Sequence, residues 1–237
     1  MTLLKPQDAV TLVAQTRSDN TVLIGGQAVA FWIEYFGIES RLPALTRDID
    51  YLGTIAAAKR VSARLKIPHK LKIATLDDHT PNSAVISVQM TGYPEPVLID
   101  YLASILGVES EAIKKSAVLA EFQGEPIRVL HPLLLLQAKM WNLYRFEDKR
   151  DAEGVEQARL AIEIAAAFIE RANLPQRELL KAIEAIGKFA ATTPARFAVE
   201  HFKLDCLKAI PESVFRPGVL PTAFHEKRWP QLLAATK

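Results

Sequence analysis

Residues 22–28 read VLIGGQA, a short apolar run that stops at two glycines and turns at once into a helical pattern. This order of residues is typical of a buried strand that leads directly into a helix. Two glycines let the backbone bend tightly and approach a ligand closely, and the first N–H groups of a helix can hold phosphate oxygens. Gly25 and Gly26 therefore form either a plain connection or part of a phosphate site. A P-loop is excluded because no Gly-Lys-Ser/Thr follows.

A second motif, TRDIDYL, occupies residues 46–52. Successive side chains of a strand point to opposite faces, so Asp48 and Asp50 would share one face while Ile49 enters the core. Two carboxylates at this spacing can bridge a pair of Mg²⁺ ions roughly 3.5–4 Å apart, the separation that supports phosphoryl transfer. Taken alone, the pair also suits an ordinary solvated strand.

A third acidic residue, Asp100, interrupts the apolar run VLIDYL at residues 97–102. The run predicts a central strand, and an unpaired charge buried there would be costly. A metal ion or a lysine would supply the missing partner. A strand-end aspartate that accepts a backbone N–H is the alternative.

The whole chain predicts an α+β fold: a mixed β-sheet with helices over residues 1–130, followed by an all-α region over residues 131–237. The first part alternates β-branched runs with helical periodicity, and the second is helical almost throughout. The predicted strands span residues 21–24, 48–52, 70–75, 84–90, 96–102, 118–122 and 127–130. The predicted helices span residues 6–15, 27–36 (closed by Gly37), 54–65 (capped by Thr54), 132–146 and 148–173 (capped by Asp148), with further starts at Pro175 and Thr193.

Composition limits the classes of protein that this chain can belong to. Of its 237 residues, 49% are apolar and 24% are charged, as in ordinary globular proteins. Disordered chains, collagens and coiled coils have different compositions. A single cysteine, Cys206, cannot form an internal disulfide, which favours a cytoplasmic location. No secretory leader or membrane span is expected from the apolar windows. The net charge of +2 gives no global attraction to nucleic acid.

The glycine turn, the Asp-x-Asp strand and the lone strand aspartate together resemble the nucleotidyltransferase fold of the polymerase-beta-like superfamily. Within it, GGQA followed by TRDID is most similar to the AbiEii-like toxins of type IV toxin–antitoxin systems. The resemblance covers residues 22–102 well and residues 134–155 more loosely. It implies that a nucleoside triphosphate is bound by Gly25, Gly26 and Thr46. It also implies that Mg²⁺ (or Mn²⁺) is bound by Asp48, Asp50 and Asp100, the last as metal ligand or general base.

The resemblance extends to the start of the helical region. The related toxins carry a lysine and an arginine on one helix and then an Arg/Lys-Asp pair, and Lys139, Arg145, Arg150 and Asp151 match this pattern. Lys139 would neutralise charge on the leaving pyrophosphate, Arg145 would help to bind the nucleotide, and Asp151 would orient Lys139 or the acceptor. Many relatives have a second aspartate three residues after Asp151, where this chain has Gly154. From the residues alone, a solvated helix face explains the basic side chains equally well.

The implied reaction is a magnesium-dependent transfer of a nucleotidyl group from a nucleoside triphosphate to an acceptor hydroxyl. The family resemblance implies an RNA acceptor such as the 3′ end of tRNA, a toxin role and an antitoxin protein as partner. Residues 177–237 hold 10 basic and 6 acidic side chains, an excess that is compatible with RNA. Two alternatives stay open: a nucleotide-binding or regulatory module without catalysis, and a transferase for a small molecule.

Overall fold

A computed structural model describes residues 4–39, 46–78, 80–122 and 124–236 of the chain. The described residues divide into two compact units. The first contains residues up to Phe31 and from Thr46 to His131, and the second contains residues 32–39 and 132–236. Among the described residues, none of the helices combines the length and the apolar character that crossing a bilayer requires.

The first unit is built on one mixed β-sheet. Its described strands are β1 (Val22–Leu23), β2 (Ile49–Leu52), β3 (His69–Ile73), β4 (Asn82–Val88), β5 (Val97–Leu102), β6 (Val118–Phe122) and β7 (Glu125–Val129). They lie in the order β3-β4-β5-β2-β1-β7-β6. The pairs β1–β7 and β2–β5 are parallel and the other neighbours are antiparallel. The mixed sheet that the sequence predicts is thereby confirmed.

Helix α1 (Pro6–Thr16) precedes β1, helices α2 (Gly25–Phe36), α3 (Ile55–Arg64) and α4 (Ser110–Ser116) lie between strands, and α2 continues into the second unit. The predicted cap of α3 is present, because the Thr54 side chain accepts a hydrogen bond from the Ala57 N–H. Gly37 follows α2 with a φ of 57°, the left-handed conformation that commonly ends a helix. The short helix α4 was not predicted.

One face of the sheet packs under helices α1 and α3. The Tyr51 hydroxyl of β2 lies 3.0 Å from the Thr16 hydroxyl of α1, and Ser62 of α3 lies 2.9 Å from Nε2 of His69 in β3. The side chains that alternate with this buried set point to the opposite face, and apart from Leu52 they are at least partly exposed. The buried set of the central strands comprises Ile49, Tyr51, Ala84, Ile86, Val88, Val97, Ile99 and Tyr101.

The second unit is helical, as the sequence predicts. Its described α-helices are α5 (Pro132–Arg145), α6 (Ala152–Arg171), α7 (Gln176–Ala190), α8 (Thr193–Phe202) and α9 (Trp229–Thr236). The chain between α8 and α9 forms 3₁₀ turns at Cys206–Ala209 and Glu212–Phe215 and a π turn at Phe224–Arg228. Helix α5 packs against α6 and α8.

Several predicted boundaries are wrong by one to three residues, each for a physical reason. β2 begins at Ile49, since its ladder with β5 starts there and leaves Asp48 just outside. Helix α2 begins at Gly25, two residues earlier than predicted, because the Ala28 N–H already donates to the Ile24 carbonyl. Helix α6 is capped by Asp151 instead of Asp148, because residues 147–149 form a separate 3₁₀ turn.

Replacing Thr54 with alanine should lower the free energy of unfolding by about 1 kcal/mol, because the Ala57 N–H loses its acceptor. Equilibrium unfolding in urea measures the change. Thr11→Ala is the matched control: Thr11 is exposed on α1 and its hydroxyl donates to the Gln7 carbonyl within the same helix. We expect the control to change stability by less than about 0.5 kcal/mol. Equal losses in both variants would contradict the capping role.

Candidate active site

Three carboxylates, two on neighbouring strands and one just before a strand, lie close together in the first unit. Asp50 of β2 and Asp100 of β5 are register partners on neighbouring parallel strands, and Asp48 directly precedes β2. All three side chains are partly buried. Burial raises the pKa of Asp100 from 3.8 to about 7, and the charges of Asp50 and Asp48 act in the same direction. Because full ionisation of the three acids is unfavourable, the cluster is suited to a cation.

Gly25 lies against the Asp50 carboxylate. Its φ is +66°, and a Cβ at this position would come within 2.0 Å of Asp50 Oδ2. Glycine is therefore required both by the backbone conformation and by the close approach. The carboxylate consequently lies at the first turn of α2, where the helix dipole favours a negative charge. The predicted phosphate contacts of Gly25 and Gly26 stay a prediction, since the space at Gly25 is used by Asp50.

A buried hydrogen-bonded chain fixes the backbone at Asp48. Gln27 in the first turn of α2 donates from Nε2 to the Thr46 hydroxyl at 2.5 Å, and that hydroxyl donates to the Asp48 carbonyl at 2.9 Å. Both side chains are buried. The single hydroxyl proton of Thr46 is thus already donated to the Asp48 carbonyl. The phosphate contact of this hydroxyl stays a prediction, and donation to a phosphate would have to replace the bond to Asp48. Sequence reasoning missed Gln27, although it is the polar residue in the otherwise apolar start of α2.

Asn82 holds one oxygen of Asp100. Its Nδ2 donates to Asp100 Oδ1 at 3.0 Å. Asn82 begins β4, where the register with β5 shifts between Asn82 and Ala84. An irregularity of this kind re-aims a side chain, and here it lets Asn82 reach the face of the acids. Sequence reasoning missed this residue, because residue 82 falls in a turn-rich stretch just before the predicted strand.

The acids suit Mg²⁺ or Mn²⁺ in charge and in ligand type, since these ions prefer carboxylate oxygens. However, in the described ranges no three His, Cys, Asp or Glu side chains are already arranged to hold a metal ion. The three carboxylates therefore interact electrostatically without forming a complete set of ligands. Magnesium commonly uses one or two carboxylates together with substrate phosphates, which is the kind of site that this arrangement fits.

Lys139 belongs to the second unit and is buried, with 6% of its surface exposed. Its Nζ donates to Gln157 Oε1 of α6 at 2.5 Å, and Gln157 in turn donates to Glu153 at 3.1 Å. Lys139 therefore does not lie on a solvated helix face. Gln157 is a further residue that sequence reasoning missed. Arg145, the last residue of α5, is exposed.

Arg150 and Asp151 stabilise helix ends in the second unit. Arg150 donates to the carbonyls of Leu143 and Tyr144 at the end of α5, both at 2.9 Å. Asp151 Oδ1 accepts the Gly154 N–H at 2.8 Å and so caps α6. A Cβ at Gly154 would lie 2.0 Å from the Lys149 carbonyl oxygen, which explains why glycine replaces the aspartate that the resemblance implies. The predicted orienting role of Asp151 stays a prediction.

No protein-family model and no curated protein matches the sequence. Among solved structures, the chain is similar to JHP933 from Helicobacter pylori, with 12% identity over 98% of this chain and 96% of that chain and a TM-score of 0.43. It is also similar to the Megavirus polyadenylate synthase, with 9% identity over 74% of this chain and a TM-score of 0.40. The chain spans only 38% of the length of that synthase. A third structure, an H. pylori protein provisionally described as a nucleotidyltransferase, is 13% identical over 87% of this chain and 92% of that chain, with a TM-score of 0.40.

Gly25→Ala should weaken Mn²⁺ binding at least tenfold, because the added methyl group displaces the Asp50 carboxylate. It should also cost about 1–3 kcal/mol through backbone strain. Isothermal titration calorimetry and urea unfolding measure the two effects. Gly37→Ala is the matched control, since Gly37 has a similar φ of +57° and a methyl group added there would have nothing within 4 Å. The control should lose stability but keep its Mn²⁺ affinity; equal loss of affinity in both variants would contradict the role given to Gly25.

Metal binding should strengthen by about tenfold between pH 6 and pH 8, because Asp100 with a pKa of about 7 must lose its proton to become a ligand. Calorimetry with Mn²⁺ at pH 6, 7 and 8 measures this, and Asp100→Asn should remove the dependence. The raised pKa also means that ionised Asp100 destabilises the fold as pH rises through 7. The same variant should therefore unfold at a higher temperature than the parent at pH 8. A pH-independent affinity of the parent would overturn the assignment.

Proposed function

We propose that the protein is a nucleotidyltransferase, which transfers a nucleotidyl group from a nucleoside triphosphate to an acceptor hydroxyl and releases pyrophosphate. The observation that carries the proposal is the register pairing of Asp50 with Asp100, with Asp48 beside them and the first turn of α2 against Asp50. Mg²⁺ or Mn²⁺, held by Asp48 and Asp50 with Asp100 as a third ligand or as the general base, would supply charge neutralisation at the triphosphate. The backbone N–H groups at Gly25 and Gly26 would hold phosphate oxygens.

Asp100 is the proposed acceptor of the proton from the attacking hydroxyl. A pKa of about 7 matches the requirement that a general base be ionised, yet still basic, near neutral pH. Asn82 engages Oδ1 of this carboxylate, so Oδ2 would take the proton. The hydroxyl oxygen then forms a bond to the α-phosphorus while the bond from that phosphorus to the bridging oxygen breaks. The electron pair leaves with pyrophosphate. The same carboxylate as a metal ligand is the other role that the resemblance implies.

Lys139 and Arg145 are the further residues that the resemblance assigns to triphosphate binding, with Asp151 as the proposed orienting acid. The observation that sets Lys139 apart is its burial beside Gln157, where water screens its charge only weakly. Arg145 is supported by the sequence pattern. For Asp151, the capping bond to Gly154 supports a structural role at least as strongly.

The acceptor that we propose is RNA, such as the 3′ end of tRNA, and the biological role is that of a toxin controlled by an antitoxin protein. Support comes from the resemblance of GGQA and TRDID to AbiEii-like toxins and from the basic excess of residues 177–237. A second candidate is a nucleotide-binding module without catalysis. In that case the three carboxylates, which do not form a complete set of metal ligands among the described residues, would contribute to binding alone.

Incubation with each α-labelled nucleoside triphosphate, Mg²⁺ and total RNA tests the reaction. The parent should label RNA, and Asp48→Ala should reduce labelling by about 10²-fold or more, because the chemistry depends on electrostatic positioning of the phosphates. Asp19→Ala is the matched control, since Asp19 is an exposed aspartate of the first unit in the connection between α1 and β1. It should label RNA like the parent.

The outcomes separate the candidates. Triphosphate binding by the parent without transfer to RNA, protein or small hydroxyl compounds would favour the binding module. Transfer to a small hydroxyl compound alone would contradict the RNA acceptor. Equal labelling by the parent and Asp48→Ala would remove the acids from the mechanism.

A further inference from the structure

The sheet face that carries the acids continues sideways to the edge of the sheet. Asp50 of β2 is the register partner of Asp100 in β5, Asp100 is the partner of Val85 in β4, and Val85 is the partner of Lys72 in β3. Register partners on neighbouring strands share a face. These residues therefore form one row across four strands, with two carboxylates at one end and a lysine at the other.

A second row runs beside the first. Leu98 of β5 is the partner of Ser87 in β4, and Ser87 is the partner of Lys70 in β3. Lys70 and Lys72 are exposed, whereas Val85, Ser87 and Leu98 are partly exposed. Helices α1 and α3 pack on the opposite face. We call the two rows the acid–lysine face, which consists of Asp50, Leu98, Asp100, Val85, Ser87, Lys70 and Lys72.

The edge strand gives this face a positive border. β3 reads HKLKI, so both of its lysines lie on the acid–lysine face while His69 turns towards Ser62 of α3. In the described part of the chain, Lys70 makes no ion pair or side-chain hydrogen bond. Lys72 donates to Asp78 Oδ1 at 2.8 Å but remains 73% exposed, and an ammonium group has three hydrogens to donate. The border can therefore attract an anionic ligand.

The spacing of charges defines the ligand. Neighbouring strands lie about 4.8 Å apart, so the backbone at Lys72 is roughly 10 Å from that at Asp100. A substrate whose hydroxyl lies at Asp100 would present anionic groups to the lysines if it carried them about that far away. Val85 and Leu98 supply an apolar strip between the two ends. A polynucleotide end combines a terminal hydroxyl, apolar base faces and phosphates at regular intervals. These groups match, in the same order, the acids, the apolar strip and the lysines of the face.

We propose that the acid–lysine face binds the acceptor, and that the acceptor is the 3′-terminal segment of a single-stranded polynucleotide. Its terminal hydroxyl lies at Asp100 and a preceding phosphate lies at Lys70 and Lys72. The inference rests on the proposed transfer reaction and adds the location of the acceptor site. A cationic small molecule long enough to reach the border is disfavoured, because the two lysines would repel it there. An acidic polypeptide with a hydroxyl side chain is the competing macromolecule that the experiment distinguishes.

The test compares two double variants with the parent. Lys70→Gln/Lys72→Gln removes the positive border, and Lys59→Gln/Lys66→Gln removes two exposed lysines on or directly after α3, which packs on the other face. Fluorescence anisotropy with a labelled single-stranded RNA 12-mer over a salt series measures binding. Transfer from the triphosphate that the parent incorporates, at varied concentrations of the same RNA, measures KM and kcat. The same assay with a hydroxyl-bearing acidic peptide compares the two acceptors. Thermal unfolding shows that each variant is folded.

Lys70→Gln/Lys72→Gln should raise both the Kd and the KM for the RNA by about tenfold, with kcat nearly unchanged. The plot of log affinity against log salt concentration has a negative slope. In this variant the slope should become less steep by roughly 0.7 for each phosphate that the lysines no longer neutralise. The Lys59→Gln/Lys66→Gln control should keep the values of the parent. The acid–lysine face is overturned if both double variants bind the RNA alike, or if a hydroxyl-bearing acidic peptide is the better acceptor. Failure of the parent to transfer to any acceptor, with RNA binding that still depends on Lys70 and Lys72, would reject the transfer reaction and uphold the polynucleotide site.

Discussion

Two carboxylates held opposite each other on β2 and β5 are the constraint on which the first unit depends. Like charges directly across a strand pair repel, and partial burial increases the cost. The strands cannot slide to relieve it, because Ile49 and Ile99 alternate with the acids and are fully buried. A slip of one residue would turn those apolar side chains outward and the acids into the core. The burial of Ile49 and Ile99 on one face thus keeps the two acids together on the other face.

Neighbouring elements hold the acids in place without removing their charge. Gly25 provides the room that the Asp50 carboxylate occupies, Gln27 and Thr46 fix the backbone at Asp48, and Asn82 orients one oxygen of Asp100. Each support is a neutral donor or a missing side chain. A site supported in this way keeps its affinity for a cation and its attached phosphates, which is the property that the proposed transfer reaction needs.

In the second unit, residues that match the family's pattern do not all have the functional role that the pattern implies. Arg150 and Asp151 fit the pattern that the resemblance implies, yet both make hydrogen bonds that complete the ends of α5 and α6. Lys139 fits the same pattern, and its burial beside Gln157 is unusual for a lysine and has no comparable explanation in helix capping. The three residues therefore differ in how strongly their surroundings support a functional assignment.

The sequence by itself determined the strand–glycine turn–helix at residues 22–28, the mixed sheet followed by helices, and the cap at Thr54, because these features follow from local periodicity and local hydrogen bonding. Only the tertiary structure decided that Asn82 reaches Asp100, that Lys139 is buried, and that Lys72 lies in one row with Asp50. Each of these depends on which strand or helix becomes the neighbour and in which register. Packing between segments that are distant in the sequence decides which neighbour and register are most stable. A local pattern of residues therefore does not predict them.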